Sequence, residues 1–286
     1  MSPPKTITVF THQYPGDTAE AVQRLIQAAS RNGVQLRFPP GEAEKHGGVR
    51  DCANCTVDVP VDGETDLAVV LGGDGTILTA LRSFAGSTTP VFAFNYGAIG
   101  FLSTVDHGEL DRGLELALAG DYETIAMPAL AVEWEGETHL GVNDISFERR
   151  ASNRVARLEY CIGGEELGRV RCDGLVAATP VGSTGYNLAN GGPVLAWGVE
   201  GFVVSFVAPH TLTARALVVA PQDALTVRNL SEREAVDVTT DGRPIGALAP
   251  GRELDVSFRE EQVLLAQIPG STFYHRFREK FGRLAH

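Results

Sequence analysis

Two stretches of this sequence hold residue types that could do chemistry on a phosphorylated ligand. The first is Gly72-Gly73-Asp74-Gly75-Thr76. Glycines let a backbone come close to a phosphate and turn its amides toward it. Asp74, set between glycines, has no packing task and offers a free carboxylate. Thr76 could cap a helix that follows, and the positive end of that helix would favour an anion. A plain tight turn with a solvated Asp would use the same letters, but Gly-Gly-Asp-Gly is more specific than a lone GxGxxG. The second stretch follows Asp173-Gly174. It runs Thr179-Pro-Val-Gly-Ser183-Thr184-Gly185-Tyr186 and then Asn187-Leu-Ala-Asn-Gly-Gly-Pro193. Its hydroxyls and free amides suit a polar, polyhydroxylated, phosphorylated ligand, with Tyr186 to stack on or flank a base. A Gly/Ser turn in a β domain is the bland alternative.

These groups need elements to position them. The apolar run Asp66–Leu71 reads as a buried strand that ends abruptly at Gly72, and in open α/β sheets that edge is where ligands bind. Around it the pattern alternates. Strands are expected at Ile7–Phe10, Val34–Phe38 and Val91–Phe94, and helices at Asp17–Ala29, Thr76–Phe84 and Glu109–Leu118. Asn32-Gly33 and Gly120 stop the first and last of these helices. Residues 39–64, rich in Pro, Gly and charge, read as an irregular loop. Strands alternating with helices imply a parallel sheet with helices on both faces. Past about residue 125 the pattern changes to short alternating segments with Gly- and Glu-rich turns, which implies antiparallel sheet. Those segments are Ala129–Trp134, His139–Phe147, Val155–Ile162, Leu167–Cys172, Phe202–Val207, Ala216–Val219, Leu225–Val227, Ala235–Thr239 and Glu253–Phe258. The expected division is an α/β domain at 1–124, a β-rich domain at 125–270 and a basic tail helix, Phe273–Leu284 within 271–286, that returns to the first domain.

Composition narrows the partners. A chain of 286 residues with 43% hydrophobic and 21% charged residues can bury the cores of two domains. Its formal net charge of -12 argues against nucleic acid and against anionic membranes. No apolar run approaches the roughly 18–20 residues that span a bilayer, and the N-terminus has no signal-peptide pattern, so the expected location is the cytoplasm. Cys52, Cys55, Cys161 and Cys172 are then expected as reduced thiols. A zinc site is disfavoured because the second pair is not CxxC.

Taken together, the motifs resemble the NAD kinase family along most of the chain. Gly72–Thr76 and Asn95-Tyr-Gly-Ala-Ile-Gly-Phe-Leu102 are similar to its first conserved stretch. Val142-Asn143-Asp144 is similar to its short acidic element, and Asp173 with Thr179–Tyr186 and Gly191-Gly-Pro193 to its hallmark loop. Ala208-Pro-His210-Thr-Leu-Thr-Ala-Arg215, Asp241-Gly242 and Phe273–Phe281 follow in matching order. The resemblance implies a two-domain fold, an α/β N-terminal domain with a parallel sheet plus a mostly antiparallel β C-terminal domain. It implies phosphorylation of the adenosine 2′-hydroxyl of NAD by ATP or a related donor, with Mg2+ or Mn2+ on the triphosphate and no dedicated protein metal cage. It also implies a homodimer or homotetramer. By motif, Asp74 is the catalytic carboxylate. Gly73, Gly75 and Thr76 belong to the nucleotide-binding turn. Asn143 and Asp144 would bind the adenosine-side ribose or phosphate region, and Asp173 the nicotinamide end. Thr179 and Ser183 belong to the hallmark loop, and Thr184, Gly185 and Tyr186 would line the adenine and ribose pocket. His210 would face a site in a neighbouring subunit. Ala189 stands where the family often has Ser, Gly185 where Ala is common, and Asp144 is one methylene shorter than Glu.

Two rival readings share the Gly-Gly-Asp-Gly turn. A lipid kinase or phosphofructokinase would need an apolar acceptor groove or basic residues for a sugar phosphate. A non-catalytic dinucleotide sensor would be expected to lose the carboxylate that Asp74 supplies.

Overall fold

The computed structural model describes residues 1–97, 100–150 and 154–282. Ala98 and Ile99 of the Asn95–Leu102 stretch, and Arg283 and Leu284 of the expected tail helix, lie outside the described residues. The chain forms two compact units, Met1–Ala126 with Val263–His286, and Met127–Gln262.

In the first unit, β1 (Thr6–Thr11), β2 (Gln35–Phe38), β3 (Cys55–Val57), β4 (Leu67–Gly72) and β5 (Pro90–Asn95) pair in parallel in the order β3-β2-β1-β4-β5. The two-residue strand β6 (Val105–Asp106) adds to β5. Every residue of β4 and β5 is buried, which explains their continuous apolar runs. Helix α1 (Ala19–Asn32) ends in Gly33 with φ 67°, as Asn32-Gly33 foretold. It shares a core with α3 (Leu110–Ala119), through Val22, Leu25, Leu114 and Leu118 against Val69, Phe92 and Phe94. Helix α2 (Asp74–Ser83) buries Ile77, Leu78 and Leu81, each worth about 1.5–3 kcal/mol against exposure. Its N-cap is Gly73 and it begins at Asp74, so Thr76 lies inside the first turn and does not cap it.

Residues 39–64 are more ordered than their composition suggests. A 3-10 turn forms at Ala43–Lys45, β3 pairs with β2, and Ala43 and Val49 join the core. Cys52 and Cys55, expected as thiols, are joined in a disulfide across a Cα–Cα distance of 5.3 Å. The short turn between them brings their Cα atoms to a separation that a disulfide spans. Cys161 and Cys172 are free.

The second unit is antiparallel. Its elements are β7 (Glu123–Trp134, entering from the first unit), β8 (Glu137–Gly141), β9 (Asp144–Arg149), β10 (Ala156–Ile162), β11 (Glu165–Cys172), β12 (Gly174–Ala178), the single-turn α4 (Tyr186–Ala189), β13 (Phe202–Val207), β14 (Leu217–Val219), β15 (Leu225–Asn229), β16 (Val236–Thr240), β17 (Arg243–Leu248) and β18 (Glu253–Gln267). One sheet runs β14-β13-β12-β9-β16-β17, and β11-β10-β15-β18 forms another. Phe147, Leu175 and Phe202 from the first meet Leu158, Val227 and Val256 from the second in one core. The expected strand His139–Phe147 is two strands, broken where the amides of Val142 and Asn143 bond a side chain instead of a neighbouring strand. Strand β18 outlasts its unit. Its end pairs in parallel with β5 at Leu264–Pro90 and Leu265–Val91, and from Val263 the chain belongs to the first unit. That unit also contains the last helix, α5 (Phe273–Phe281). No helix among the described residues is long and apolar enough to cross a membrane.

Candidate active site

In the first unit the sheet ends at Gly72, and two loops meet there without side chains between them. A Cβ on Gly73 would lie 3.2 Å from Cα of Gly97, and one on Gly97 would lie 2.8 Å from Cα of Gly73. A side chain at Gly97 would force the two backbones apart, and one at Gly73 would crowd them. Tyr96 N donates to Gly72 O at 3.0 Å and fixes the register of the two loops. Half-buried Asp74 then reaches the second loop. Its Oδ2 accepts the amide of Phe101 and its Oδ1 that of Leu102, each at 3.1 Å. Each carboxylate oxygen keeps a further acceptor position. The carboxylate is thus aimed by backbone and still able to receive a ligand hydroxyl. At Gly75 nothing lies within 4 Å of a built Cβ, so the turn is open on that side.

A pocket of about 350 Å³ opens beside this turn, lined by Gly73, Gly75, Thr76, Thr79, His12 and Lys45 among others. The segment after β2 builds its wall. Glu42 accepts from the amide and hydroxyl of Thr11 at 3.0 and 2.6 Å, and Lys45 Nζ donates to Glu42 at 2.8 Å. Buried His46 meets Thr11 Oγ1 at 3.0 Å, and burial holds its pKa below the usual imidazole range. Free glycine amides, a threonine hydroxyl and an ammonium group are the donors a phosphate chain needs.

In the second unit the groups gather around the break between β8 and β9. Asp241, at φ 46° in the β16–β17 turn, accepts the amides of Val142, Asn143 and Asp144 at 3.1, 2.7 and 3.1 Å. Asp144 itself is buried, and its pKa is pushed up to about 7, chiefly by burial, then by the charges of Asp241 and Glu148. Thr179 ties the hallmark loop to the same place. Its amide donates to Asn143 O at 2.9 Å and its hydroxyl to Val142 O at 2.6 Å. A Cβ on Gly182 would sit 2.0 Å from Asn143 O, and one on Gly192 would sit 1.8 Å from Asn187 Oδ1. Gly182 and Gly192 are therefore demanded by packing. Asn187 bridges Ser183 O and Pro193 O, both at 2.9 Å, while the buried Ser183 hydroxyl donates to Pro180 O and accepts from Leu195 N. Tyr186 is raised in pKa by burial first, then by Glu148, to which its hydroxyl bonds, and by Asp144 and Asp173. Asp173 is held by Arg149 in a two-pronged ion pair at 2.8 and 3.0 Å.

The structure thus brings Gly73, Asp74, Gly75 and Thr76 into one turn, and Asn143, Asp144 and Thr179 to one break in a sheet, with Ser183, Thr184, Gly185 and Tyr186 following in the loop that Thr179 and Gly182 dock there. Thr179 and Ser183 are fully buried and spend their hydroxyls on backbone. His210 is exposed and joined to the unit by its amide, which donates to Arg171 O at 2.7 Å. Arg149 and Glu148 were not singled out in the sequence, because a charge at the end of a strand looks like solvated surface. Asp241 was noted only as part of a motif, although Asp-Gly at a turn signals its positive φ. Among the described residues no three His, Cys, Asp or Glu side chains cluster as a metal site.

Residues 41–122 match the family model of the ATP-NAD kinase N-terminal domain, and residues 142–267 that of the ATP-NAD kinase C-terminal domain. The NAD kinase of Symbiobacterium thermophilum is 32% identical over 264 residues, 90% of this chain and 92% of that protein. Among solved structures, yeast NADH kinase complexed with NADH superposes with a TM-score of 0.81 at 24% identity, over 100% of this chain and 91% of that one. An NAD kinase from Archaeoglobus fulgidus in complex with ATP gives 0.74 at 24% identity, over 97% of both chains. These two likenesses speak for the fold.

Proposed function

The chain belongs to the NAD kinase family, and we infer from that membership that it transfers the terminal phosphoryl group of ATP to the adenosine 2′-hydroxyl of NAD, giving NADP and ADP. The observation that carries the reading to particular atoms is Asp74, with its carboxylate aimed by the amides of Phe101 and Leu102 beside an open pocket of about 350 Å³. In the proposed reaction the 2′-hydroxyl oxygen forms a bond to the γ-phosphorus while the bond from that phosphorus to the β–γ bridging oxygen breaks and ADP leaves. The hydroxyl proton goes to Asp74. Transfer of this kind depends on alignment and on neutralised charge more than on covalent help, and general-base assistance adds typically about 10²–10⁴-fold.

Gly73, Gly75, Thr76 and Lys45 fit the phosphates of the donor. Mg2+ or Mn2+ would be held mainly by the phosphates and would supply charge neutralisation. Asn143 and Asp144 serve the ribose, Tyr186 with Thr184 and Gly185 the adenine side, and Asp173, oriented by Arg149, the nicotinamide amide. Thr179 and Ser183 shape the loop from behind. Exposed His210 fits a role at a neighbouring subunit in a homodimer or homotetramer, and the expected location remains the cytoplasm.

The test is product formation from the purified protein with NAD, ATP and Mg2+, read through an NADP-specific dehydrogenase. Activity that disappears in Asp74→Asn, with NAD binding retained, supports the reading. A folded wild-type protein that binds NAD but turns over no phosphoryl donor would replace it with a dinucleotide sensor.

A further inference from the structure

Helix α5 buries one residue, and that residue is charged. Arg276 is 7% exposed, while Tyr274 and Phe281 on the same helix are 71% and 41% exposed. An amphipathic helix normally buries its apolar side. Here the buried guanidinium does polar work. It donates to the carbonyl oxygens of Phe101, at 3.3 Å, and of Ser103, and to Gln267 Oε1. Burial lowers its pKa to about 10, opposed by the charges of Glu279, Asp106 and Asp74, so it stays protonated at neutral pH.

The carbonyls that Arg276 binds belong to the loop whose amides aim Asp74. The carbonyl of Phe101 and the amide of Leu102 are two ends of one peptide unit. A trans peptide is planar, and its C=O and N–H point in opposite directions. With Arg276 on the oxygen, the hydrogen must face the other way, where Asp74 Oδ1 accepts it at 3.1 Å. One rigid plane therefore connects the guanidinium to the carboxylate. A cation on the oxygen also polarises the unit and strengthens the hydrogen bond at its far end. Packing supports the same loop, with the Phe101 ring meeting those of Phe273 and Phe281 at 5.9 and 6.1 Å.

We propose that Arg276 is a positioning residue for phosphoryl transfer, acting through the Phe101–Leu102 peptide to set the direction of the Asp74 carboxylate, so that α5 is part of the catalytic apparatus. The proposal rests on the function inferred above. A misdirected carboxylate costs rate without weakening the dinucleotide, since displacements on the scale of an ångström are worth about 10²-fold.

The experiment compares Arg276→Ala, Arg276→Met and Arg276→Lys in the full chain, by kinetics with NAD, ATP and Mg2+ and by hydrogen exchange of the peptide covering Phe101 and Leu102. The expected result is a fall in kcat of about 10- to 100-fold in Arg276→Met, with KM for NAD within about twofold. Faster exchange at Phe101 and Leu102 should accompany it, and millimolar guanidinium should partly restore Arg276→Ala but not Arg276→Met. Arg276→Lys keeps the charge, but a single ammonium on a shorter fork cannot replace both Nη1, which serves the two carbonyls, and Nη2, which is anchored on Gln267, so its kcat should fall between those of wild type and Arg276→Met. Unchanged kcat and exchange in Arg276→Lys and Arg276→Met would overturn the proposal. So would a loss of NAD binding in step with kcat, because the arginine would then serve only the fold. If the wild-type protein makes no NADP, the functional reading fails, and the exchange measurement still decides whether Arg276 holds the loop.

Discussion

Asp74 in the first unit and Asp144 in the second are carboxylates that begin secondary-structure elements, yet their surroundings are opposite. Asp74 is half exposed and accepts two backbone amides. Asp144 is buried beside Asp241 and Glu148, and the three amides at its own break in the sheet go to Asp241. Backbone donors hold an anion in place at little cost, whereas burial among like charges stores free energy against ionisation. One carboxylate is therefore set to act by direction. The other is set to respond to a ligand that brings hydroxyl donors or neutralises charge.

The largest expected effect follows from direction. Asp74→Asn keeps shape and one acceptor oxygen but loses the base, so kcat should fall by about 10²–10⁴-fold while the dissociation constant for NAD stays within about twofold. Kinetics and calorimetry on one preparation separate the two quantities. A variant with near-normal turnover would make the two carboxylates equivalent and remove Asp74 from the chemistry.

Next comes the free energy stored at Asp144. Its folded pKa, about 7, lies above the ordinary 3.8, so the folded protein keeps a proton that the unfolded chain releases. That contribution to stability is complete below the unfolded value and is lost as pH rises through about 7. Asp144→Asn removes the dependence. Thermal melts should show the variant more stable than wild type by a few kcal/mol at pH 8, with the difference closing toward pH 4. NAD binding should weaken in the same variant, the usual exchange of stability for function at a strained site. Parallel melting curves at every pH would show that Asp144 is not stressed by its surroundings.

Much of this was legible in the residues and some could not be. Continuous apolar runs named the buried parallel strands, and Gly72–Thr76 marked the sheet edge where Asp74 stands. The hallmark loop announced itself through its run of small and hydroxyl residues, and the structure adds that Gly182 and Gly192 leave no room for a Cβ. Cancelling signals hid the rest. Val49 lies buried in a stretch whose other letters read as loop, and only Glu253–Phe258 of β18 read as a strand, so its far end, which serves the first unit, was missed. Arg276 in a basic helix looks like surface charge, because helical periodicity shows which face is apolar and not which cation is buried. Arg149 and Glu148 acquire meaning only from partners far along the chain, Asp173 and Tyr186.

A smaller effect tests the amide cradle itself. Asp241→Asn leaves one oxygen for the amides of Val142, Asn143 and Asp144 and takes away the charge. Hydrogen bonds to a charged group are worth about 1.5–3 kcal/mol each against about 1 for neutral ones, so the break in the sheet should loosen without unfolding. Urea titration should read a loss of about 1–2 kcal/mol at pH 8, reduced by the repulsion of Asp144 that the change relieves. A full-size loss would mean that the charge of Asp241 does not reach Asp144.

The smallest effect discriminates between the causes acting on Asp144. Burial is the largest of them, the charge of Asp241 comes second and that of Glu148 third. Glu148→Gln removes the third alone and leaves a side chain of the same size beside Ser146 and Tyr186. If burial dominates, the Asp144 titration followed by carbon-detected NMR should fall by less than about one pH unit. Asp241→Asn should lower it further, and neither change should return it to the ordinary carboxylate range. A return to that range in Glu148→Gln would make Asp144 and Glu148 a pair sharing one proton. The contrast with Asp74 would then rest on a neighbouring charge, where the present geometry rests it on exclusion of water.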